Sequence, residues 1–338
     1  MTLYAGIDLH SNNSVVVIQD DEDKVVKRER LANRLEAMLA MLEPYRDALV
    51  GVVVESTYNW YWLVDGLQDH GYRVHLAHTP AIQQYAGLKY ADDESDARWL
   101  ATMLRLGVLP EGHIYPKQER AVRDLVRKRS QLVQHHTAHL LSIENLVLRN
   151  TGQRITANDT RALTPETVDE LLSDANLALA VKANVAVLAC LQEQIAILER
   201  SVLSQVRLRE AFKRLLTVSG IGKILALTIM LETGDIKRFP RVGDYASYCR
   251  CVRSVRLSNQ KKKGKGNAKS GNKYLSWAFL EAAVFAIRWN AQIKRFYDRK
   301  AAKTSRVVAL KAVAHKLARA CYHILNDGVM FDVRRAFG

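Results

Sequence analysis

A series of short apolar runs in the first third of the chain most constrains the fold. Each run has the length of a β-strand, and helical periodicity fills most of the segments between them. The runs lie at 3–9, 13–19, 24–30, 49–55 and 72–77. The helical segments lie at 33–43, 57–69, 80–88 and 95–106. Three consecutive strands followed by alternating helices and strands predict an α/β domain with a mixed sheet over residues 1–116.

Residues 117–213 have a wholly helical pattern. One long helix is predicted from about 118 to 149, followed by a polar stretch at 151–165. A second long helix carries apolar residues on heptad a and d positions, namely Val181, Leu188, Leu191, Ile195, Leu198 and Val202. Two such helices predict an antiparallel coiled-coil hairpin that dimerises, or an ordinary helical layer packed on the first domain.

Residues 214–338 form a third, mostly helical unit. The pattern predicts a helix, a tight turn at Gly220-Ile221-Gly222 and a second helix that begins near Lys223. Glycines at such a turn let backbone N–H groups at the second helix's N-terminus approach a phosphate, as in a helix-hairpin-helix motif. A simple turn between two helices has the same pattern.

The charge is unevenly distributed along the chain. The net charge is +15, but residues 1–115 hold 10 Lys/Arg against 17 Asp/Glu, whereas residues 116–338 hold 40 against 18. Such segregation favours nucleic-acid binding by the second part. We expect no membrane span and a bacterial cytoplasmic location, with the four cysteines reduced.

Four acids mark the candidate catalytic centre. Asp8 lies in the first apolar run, Glu55 ends the 49–55 run, and Asp93 and Asp96 open a helix. A carboxylate within or after a buried strand is costly unless a cation or donor satisfies it. Carboxylates that converge from strand ends and a helix can bind a divalent metal for phosphate chemistry. The element order also matches a ribonuclease H-like fold, whose first strand carries an acid at its middle or end.

A basic tract follows in the third unit. It contains no acid between Tyr245 and Leu280, and glycines and asparagines interrupt any helix, which predicts a flexible loop that binds phosphate backbones. Its cations are Arg250, Arg253, Arg256, Lys261, Lys262, Lys263, Lys265, Lys269 and Lys273. Ser254, Ser258 and Ser270 lie among them, and chemistry alone selects none of the three as a nucleophile.

At this point the chain resembles a known family. Ala5-Gly6-Ile7-Asp8, Val54-Glu55-Ser56-Thr57 and the segment from Asp93 to Arg98 are similar to the three motifs of DEDD-type insertion-sequence transposases. These are bacterial recombinases with a RuvC-like domain, guided by a bridge RNA. Leu216 to Gly222 and Gly266 to Leu280 resemble parts of the family's C-terminal transposase domain.

The resemblance implies roles for the residues already singled out. Asp8, Glu55, Asp93 and Asp96 would hold Mg²⁺ against the scissile phosphate, and a serine from another subunit would attack DNA. That serine aligns by order with Ser258; Leu257 and Asn259 stand where the family usually has Glu and Gly, so Ser254 is the alternative. A structured noncoding RNA would pair with target and donor DNA, on a dimer or tetramer of the protein.

Two other functions remain open from the sequence. The same acids could activate water in a junction-resolving nuclease, leaving Ser258 incidental. The chain could instead bind nucleic acid without catalysis, with structural acids. On any of these interpretations, the predicted division is a catalytic domain at 1–116, dimerisation helices at 117–213 and a transposase domain at 214–338.

Overall fold

The computed structural model describes residues 1–82, 92–252, 256–264 and 270–338 of the chain. These residues form two compact units, Met1–Lys117 and Gln118–Gly338. The first unit combines a five-stranded sheet with helices, and the second is mostly helical. The prediction of an α/β part followed by a helical part is therefore confirmed.

The sheet of the first unit has the order β3-β2-β1-β4-β5. Its strands are β1 (Leu3–Leu9), β2 (Asn13–Asp20), β3 (Val25–Ala32), β4 (Leu49–Glu55) and β5 (Val74–Ala77). Strand β2 runs antiparallel to β1 and β3, whereas β1, β4 and β5 are parallel. β5 begins two residues later than the apolar run, because Tyr72 donates its N–H to the Leu67 carbonyl across a turn at Gly71, which has φ of 82°.

Helices cover both faces of this sheet. The helices of the first unit are α1 (Leu35–Leu42), α2 (Tyr61–Asp69) and α3 (Asp93–Arg105), with short 3-10 helices at Glu43–Ala48 and Thr79–Ala81. Helices α1 and α2 bury Met38 and Leu63 in one core cluster, and α3 buries Ala97 and Leu100 in separate clusters with strand residues. Burial on both faces explains why β1 and β4 are nearly continuous apolar runs. The helix predicted at 80–88 falls largely on residues 83–91, outside the described residues.

The edge strand β3 is mostly exposed and highly charged, with the sequence VVKRERLA. Charges on an edge strand discourage pairing with another chain. Here two of them also have partners on α3, because Arg28 contacts Glu94 and Arg30 contacts Asp93. The edge therefore contributes cations to the neighbourhood of the predicted acids.

Two long antiparallel helices open the second unit. They are α4 (Lys117–Thr151) and α7 (Ala175–Val206). Arg129 pairs with Glu199 at 2.7 Å, and His139 Nδ1 lies 2.7 Å from the Asn184 side-chain oxygen, so the two helices pair within one chain. Their use as a coiled-coil dimerisation element stays a prediction.

One helix of this region was not predicted. The polar stretch at 151–165 contains a helix, α5 (Ala157–Ala162), because Thr156 and Asp159 form a reciprocal capping box at its start. Among the described residues, α7 is long and apolar enough to cross a membrane by length and composition, with a mean hydropathy of 1.5, but a single helix of this kind does not contradict the expectation of no membrane span. Some of that apolar surface is used inside the unit, where Val181 and Leu188 pack in a cluster with residues of α4 and α6 (Pro165–Leu171).

The rest of the second unit packs helices around a second core. They are α8 (Glu210–Leu215), α9 (Lys223–Thr233), α10 (Val242–Tyr248), α11 (Lys273–Trp289), α12 (Ala291–Lys303), α13 (Arg306–Asp327) and α14 (Val333–Phe337), with a 3-10 turn at Ile236–Arg238. The core includes the fully buried Tyr245 and Phe279. The tract predicted as a flexible loop contains a hairpin, β6 (Arg256–Ser258) and β7 (Lys261–Gly264), so that prediction is wrong for these residues.

Candidate functional site

The carboxyl ends of β1 and β4 bring the first two predicted acids together. These strands are parallel neighbours, and Ile7 pairs with Val54, so Asp8 and Glu55 follow at the same edge of the sheet. Asp8 is buried and Glu55 is half-buried. The register therefore places the two carboxylates side by side, and their role as metal ligands stays a prediction.

A close contact between α3 and β1 brings the other two acids to the same edge. An added Cβ at Gly6 would lie 1.9 Å from the Ala97 carbonyl oxygen, so only glycine allows the helix this close. Asp96 directly precedes Ala97, and Asp93 lies one turn earlier on α3. The backbone contact therefore sets how far these carboxylates lie from Asp8.

The pKa values show concentrated negative charge at this edge. Burial, a hydrogen bond with Asp8 and the negative charges of Asp8 and Asp96 raise the pKa of Glu55 to about 8. Burial and the neighbouring carboxylates also raise the pKa of Asp96. A hydrogen bond from Arg30, which lies 2.6 Å from the Asp93 oxygen, lowers the pKa of Asp93. Carboxylates such as Glu55 and Asp96, whose ionisation is opposed by burial and by neighbouring negative charge, are suited to a bound cation.

Two acids beside this group have other partners. Asp92 caps α3, because its Oδ1 accepts the Ser95 N–H at 2.8 Å. Glu94 contacts Arg28 on the edge strand. Both stand outside the predicted ligand set, and their contacts are those of a helix cap and a surface ion pair.

A histidine also lies in this group of acids. The ligand atoms of Asp8, His10 and Asp93 all lie within 4.8 Å of one another. Nε2 of His10 is buried and lies 3.2 Å from an oxygen of each aspartate. A buried ring nitrogen this close to two carboxylate oxygens fits a divalent metal. The sequence analysis missed His10, although its position two residues after Asp8 is the spacing that keeps strand residues on one face.

The second predicted site is a two-residue hairpin in the other unit. Ser258 pairs with Lys261, and the intervening Asn259 and Gln260 have φ of 48° and 59°. Two successive positive φ angles are typical of a type I′ turn, which matches the twist of a tight hairpin. Ser258, Lys261 and Lys263 are exposed. The hairpin thus presents the predicted nucleophile at its turn, beside lysines.

Partly buried polar contacts join the two ends of the segment that carries this hairpin, near residues 250 and 272. Arg250 donates from Nε and Nη2 to the Gly271 carbonyl at 3.0 and 2.7 Å, and Asn272 donates its N–H to the Tyr248 carbonyl at 2.6 Å. Arg250 therefore bonds within the fold, as well as being a predicted phosphate ligand.

An ion pair between Arg127 and the buried Glu232 is hydrogen-bonded to Asn272, at the end of the same segment. Glu232 is 3% exposed and accepts two hydrogen bonds from Arg127, at 2.6 and 2.8 Å, and one from the Asn272 amide at 2.7 Å. The Arg127 guanidinium also stacks over the Tyr274 ring, as Lys273 Nζ does. Sequence patterns did not single out Glu232, because an acid within an apolar helix has no partner until the chain folds.

Several predicted nucleic-acid ligands, and the alternative nucleophile Ser254, lie outside the described residues. Arg253, Ser254, Lys265 and Lys269 fall on residues outside the described ranges. Arg256 and Lys262 lie in β6 and β7, and their side chains are likewise not described.

The glycine turn before α9 has a structural explanation. Gly220 has φ of 87°, and a Cβ there would lie 2.3 Å from the Ala282 carbonyl oxygen, so the turn packs directly on α11. Gly222 and Lys223 are exposed at the start of α9. A phosphate contact at these two residues stays a prediction.

Comparison with known proteins gives a consistent picture across both units. Residues 5–151 match the family model of the DEDD-type IS110 transposases. Residues 212–298 match the model of the transposase IS116/IS110/IS902 family. A "probable family 20 transposase" of Pseudomonas aeruginosa is 25% identical over 288 residues, which cover 79% of this chain and 80% of that protein.

A second relative comes from Streptomyces coelicolor. This "Insertion element IS110 uncharacterized 43.6 kDa protein" is 22% identical over 207 residues, which cover 56% of this chain and 51% of that protein. The match thus spans about half the length of the Streptomyces relative.

Proposed function

Because the chain belongs to the IS110 family of DEDD-type insertion-sequence transposases, we propose that it cuts and rejoins DNA strands. Asp8, Glu55, Asp93 and Asp96 would hold a divalent metal, which would supply positive charge for this chemistry. The observation that supports this most directly is the convergence of the four acids, with the pKa of Glu55 raised to about 8 by its neighbours. The strand order of the first unit, with β2 alone antiparallel, supports a RuvC-like, ribonuclease H-type domain.

The proposed metal is Mg²⁺, since hard carboxylate oxygens are its usual protein ligands. A bound Mg²⁺ would offset the charge of the acids and of the phosphoryl oxygens during transfer. Asp8 and Glu55 would hold the metal from the sheet edge, and Asp96 would hold it from α3. Arg30 orients Asp93 through its 2.6 Å contact.

The proposed nucleophile is Ser258, supplied by another copy of the chain. Its Oγ attacks the phosphorus, a new O–P bond forms, and one P–O bond to deoxyribose breaks. The deoxyribose oxygen leaves as a hydroxyl after it takes up the serine proton, and attack by another strand's hydroxyl reverses the step. The exposed position of Ser258 at a hairpin turn supports this role, because a nucleophile acting on another copy's site must project from its own. Ser254 is the alternative.

The proposed partners are target DNA, donor DNA and a structured guide RNA encoded by the element. Residues 116–338 carry 40 Lys/Arg against 18 Asp/Glu, which suits binding to phosphate backbones more than reading of base edges. The exposed Lys261, Lys263 and Lys223 are proposed backbone contacts. We further propose that residues 117–213 join two copies and that four copies assemble on DNA, in the bacterial cytoplasm.

One gel assay separates this function from its two alternatives. Protein, its co-purifying RNA, Mg²⁺ and end-labelled DNA are incubated and resolved under denaturing conditions. We expect a protein–DNA adduct that is lost in Ser258→Ala and in Asp8→Asn, and kept in Ser204→Ala, an exposed serine on α7.

The other outcomes identify the alternatives. Cleavage without an adduct, unchanged in Ser258→Ala, would show a hydrolytic nuclease in which the acids activate water. Absence of cleavage in wild-type protein that still binds DNA would show a non-catalytic nucleic-acid-binding protein.

A further inference from the structure

His10 lies where a metal ligand is needed. Its Nε2 is 3.2 Å from Oδ2 of Asp8 and 3.2 Å from Oδ2 of Asp93. The ring is 37% exposed, yet Nε2 itself is buried. In a neutral imidazole whose Nε2 carries the lone pair, that lone pair is repelled by both carboxylate oxygens. A cation between the three atoms would remove that repulsion.

The spacing of the three atoms suits one six-coordinate ion. Ligands about 2.1–2.2 Å from an octahedral metal lie about 3 Å from their neighbours and about 4.3 Å from the opposite ligand. The two N···O separations of 3.2 Å agree with neighbouring positions, and all three atoms lie within 4.8 Å of one another. Arg30 also contacts Oδ2 of Asp93, but a carboxylate oxygen has a second lone pair for a metal.

The backbone of His10 is held in place from three directions. Its carbonyl oxygen accepts hydrogen bonds from the side-chain amides of Asn33 and Asn59, both at 2.9 Å. Its N–H donates to the Asn13 carbonyl at 3.0 Å. A ligand on a fixed backbone loses little freedom when it binds a metal. These contacts come from three different segments, so the position of the histidine is set by the tertiary fold.

We infer that His10 is a nitrogen ligand of the metal centre, alongside Asp8 and Asp93. The inference rests on the proposed function, because it requires that these aspartates bind metal. Mn²⁺ binds carboxylates as Mg²⁺ does, but as a transition metal it accepts an imidazole nitrogen more readily than Mg²⁺, which prefers oxygen. One imidazole among carboxylates therefore shifts the selectivity of the centre toward Mn²⁺.

Binding of the metals alone tests this assignment. Mn²⁺ and Mg²⁺ are titrated into the full-length protein by calorimetry, and the bound Mn²⁺ is examined by pulsed electron paramagnetic resonance for a directly coordinated nitrogen. In His10→Gln we expect about tenfold weaker Mn²⁺ binding, a smaller loss for Mg²⁺, and disappearance of the nitrogen coupling. The matched control is His70→Gln, which changes an exposed histidine of the same unit.

The outcomes separate this inference from the proposed function. If Asp8→Asn weakens both metals while His10→Gln changes neither affinity nor the nitrogen coupling, the aspartates bind metal and His10 only pairs with them. If the wild-type protein binds neither metal, both the inference and the metal-dependent function are overturned. Circular dichroism of each variant establishes that a loss of binding does not reflect unfolding.

Discussion

Substitution of Gly6 by alanine should damage both the stability and the metal centre of the first unit. The new Cβ would lie 1.9 Å from the Ala97 carbonyl oxygen and 2.9 Å from the Ala101 nitrogen. Relaxed C···O contacts are about 3.3 Å or longer, so α3 must retreat from β1 by roughly 1.4 Å. Both obstacles are backbone atoms, which cannot rotate away as a flexible side chain could.

The retreat has two consequences of different size. Overpacking typically costs about 1–3 kcal/mol, and we expect the upper part of that range because the contact involves backbone on both sides. The same shift carries Asp96 away from Asp8, and a displacement of about 1 Å in a catalytic centre can cost about a hundredfold in activity. The loss of metal binding should therefore exceed what the loss of stability alone explains.

Urea unfolding and Mn²⁺ titration of folded protein measure these two effects separately. Gly112→Ala is the matched control, because a Cβ at Gly112 would meet its nearest atom at an ordinary 3.5 Å. We expect the control to lie within about 0.5 kcal/mol of wild type with unchanged metal affinity. A Gly6→Ala protein with control-like stability and full metal affinity would refute the close backbone contact and its role in placing the acids.

Two further predictions concern buried charge. In the metal-free protein, folding raises the pKa of Glu55 from an ordinary 4.5 to about 8. The free energy of unfolding should therefore fall as pH rises between these values, because the folded protein keeps a proton that the unfolded chain releases. Glu55→Gln should remove about 1–2 kcal/mol of that fall, a modest amount because the carboxyl is half-exposed. A pH-independent difference between the two proteins in urea unfolding would contradict this. Arg127→Ala leaves Glu232 buried without its cation and should cost about 3–5 kcal/mol, with most of the loss recovered when both residues are changed to Met. Thermal unfolding measures this, and the exposed Arg241→Ala serves as control and should leave Tm unchanged.

Much of the first unit could be predicted from local patterns. β1 and β4 match their apolar runs at both ends, and α3 begins at the predicted acids because Asp92 and Ser95 cap it. Such elements are determined by nearby residues, so their pattern survives folding. The predicted convergence of Asp8 and Glu55 followed from two adjacent parallel strands. The hairpin at 256–264 was missed because its turn is made by Asn259 and Gln260, without the glycine that usually marks such a turn.

The parts that could not be predicted involve partners distant in sequence. Arg127 and Glu232 are 105 residues apart, and neither has a local pattern that identifies the other. His10 is held by asparagines 23 and 49 residues away, and its Nε2 meets Asp93 only after α3 packs on β1. Val181 and Leu188 of α7 are likewise buried only because helices distant in sequence pack against them.

The sequence by itself determined which residue types carry the chemistry: four acids at strand and helix ends, a serine among cations, and the charge division between the two units. Strand and helix periodicity, caps and net charge are local properties, and the chain expresses them wherever it folds. Only the tertiary structure decided the distances between these groups. The glycine contact between β1 and α3, the asparagines on the His10 carbonyl and the buried Arg127–Glu232 pair set those distances, because each is a contact between segments that only packing brings together.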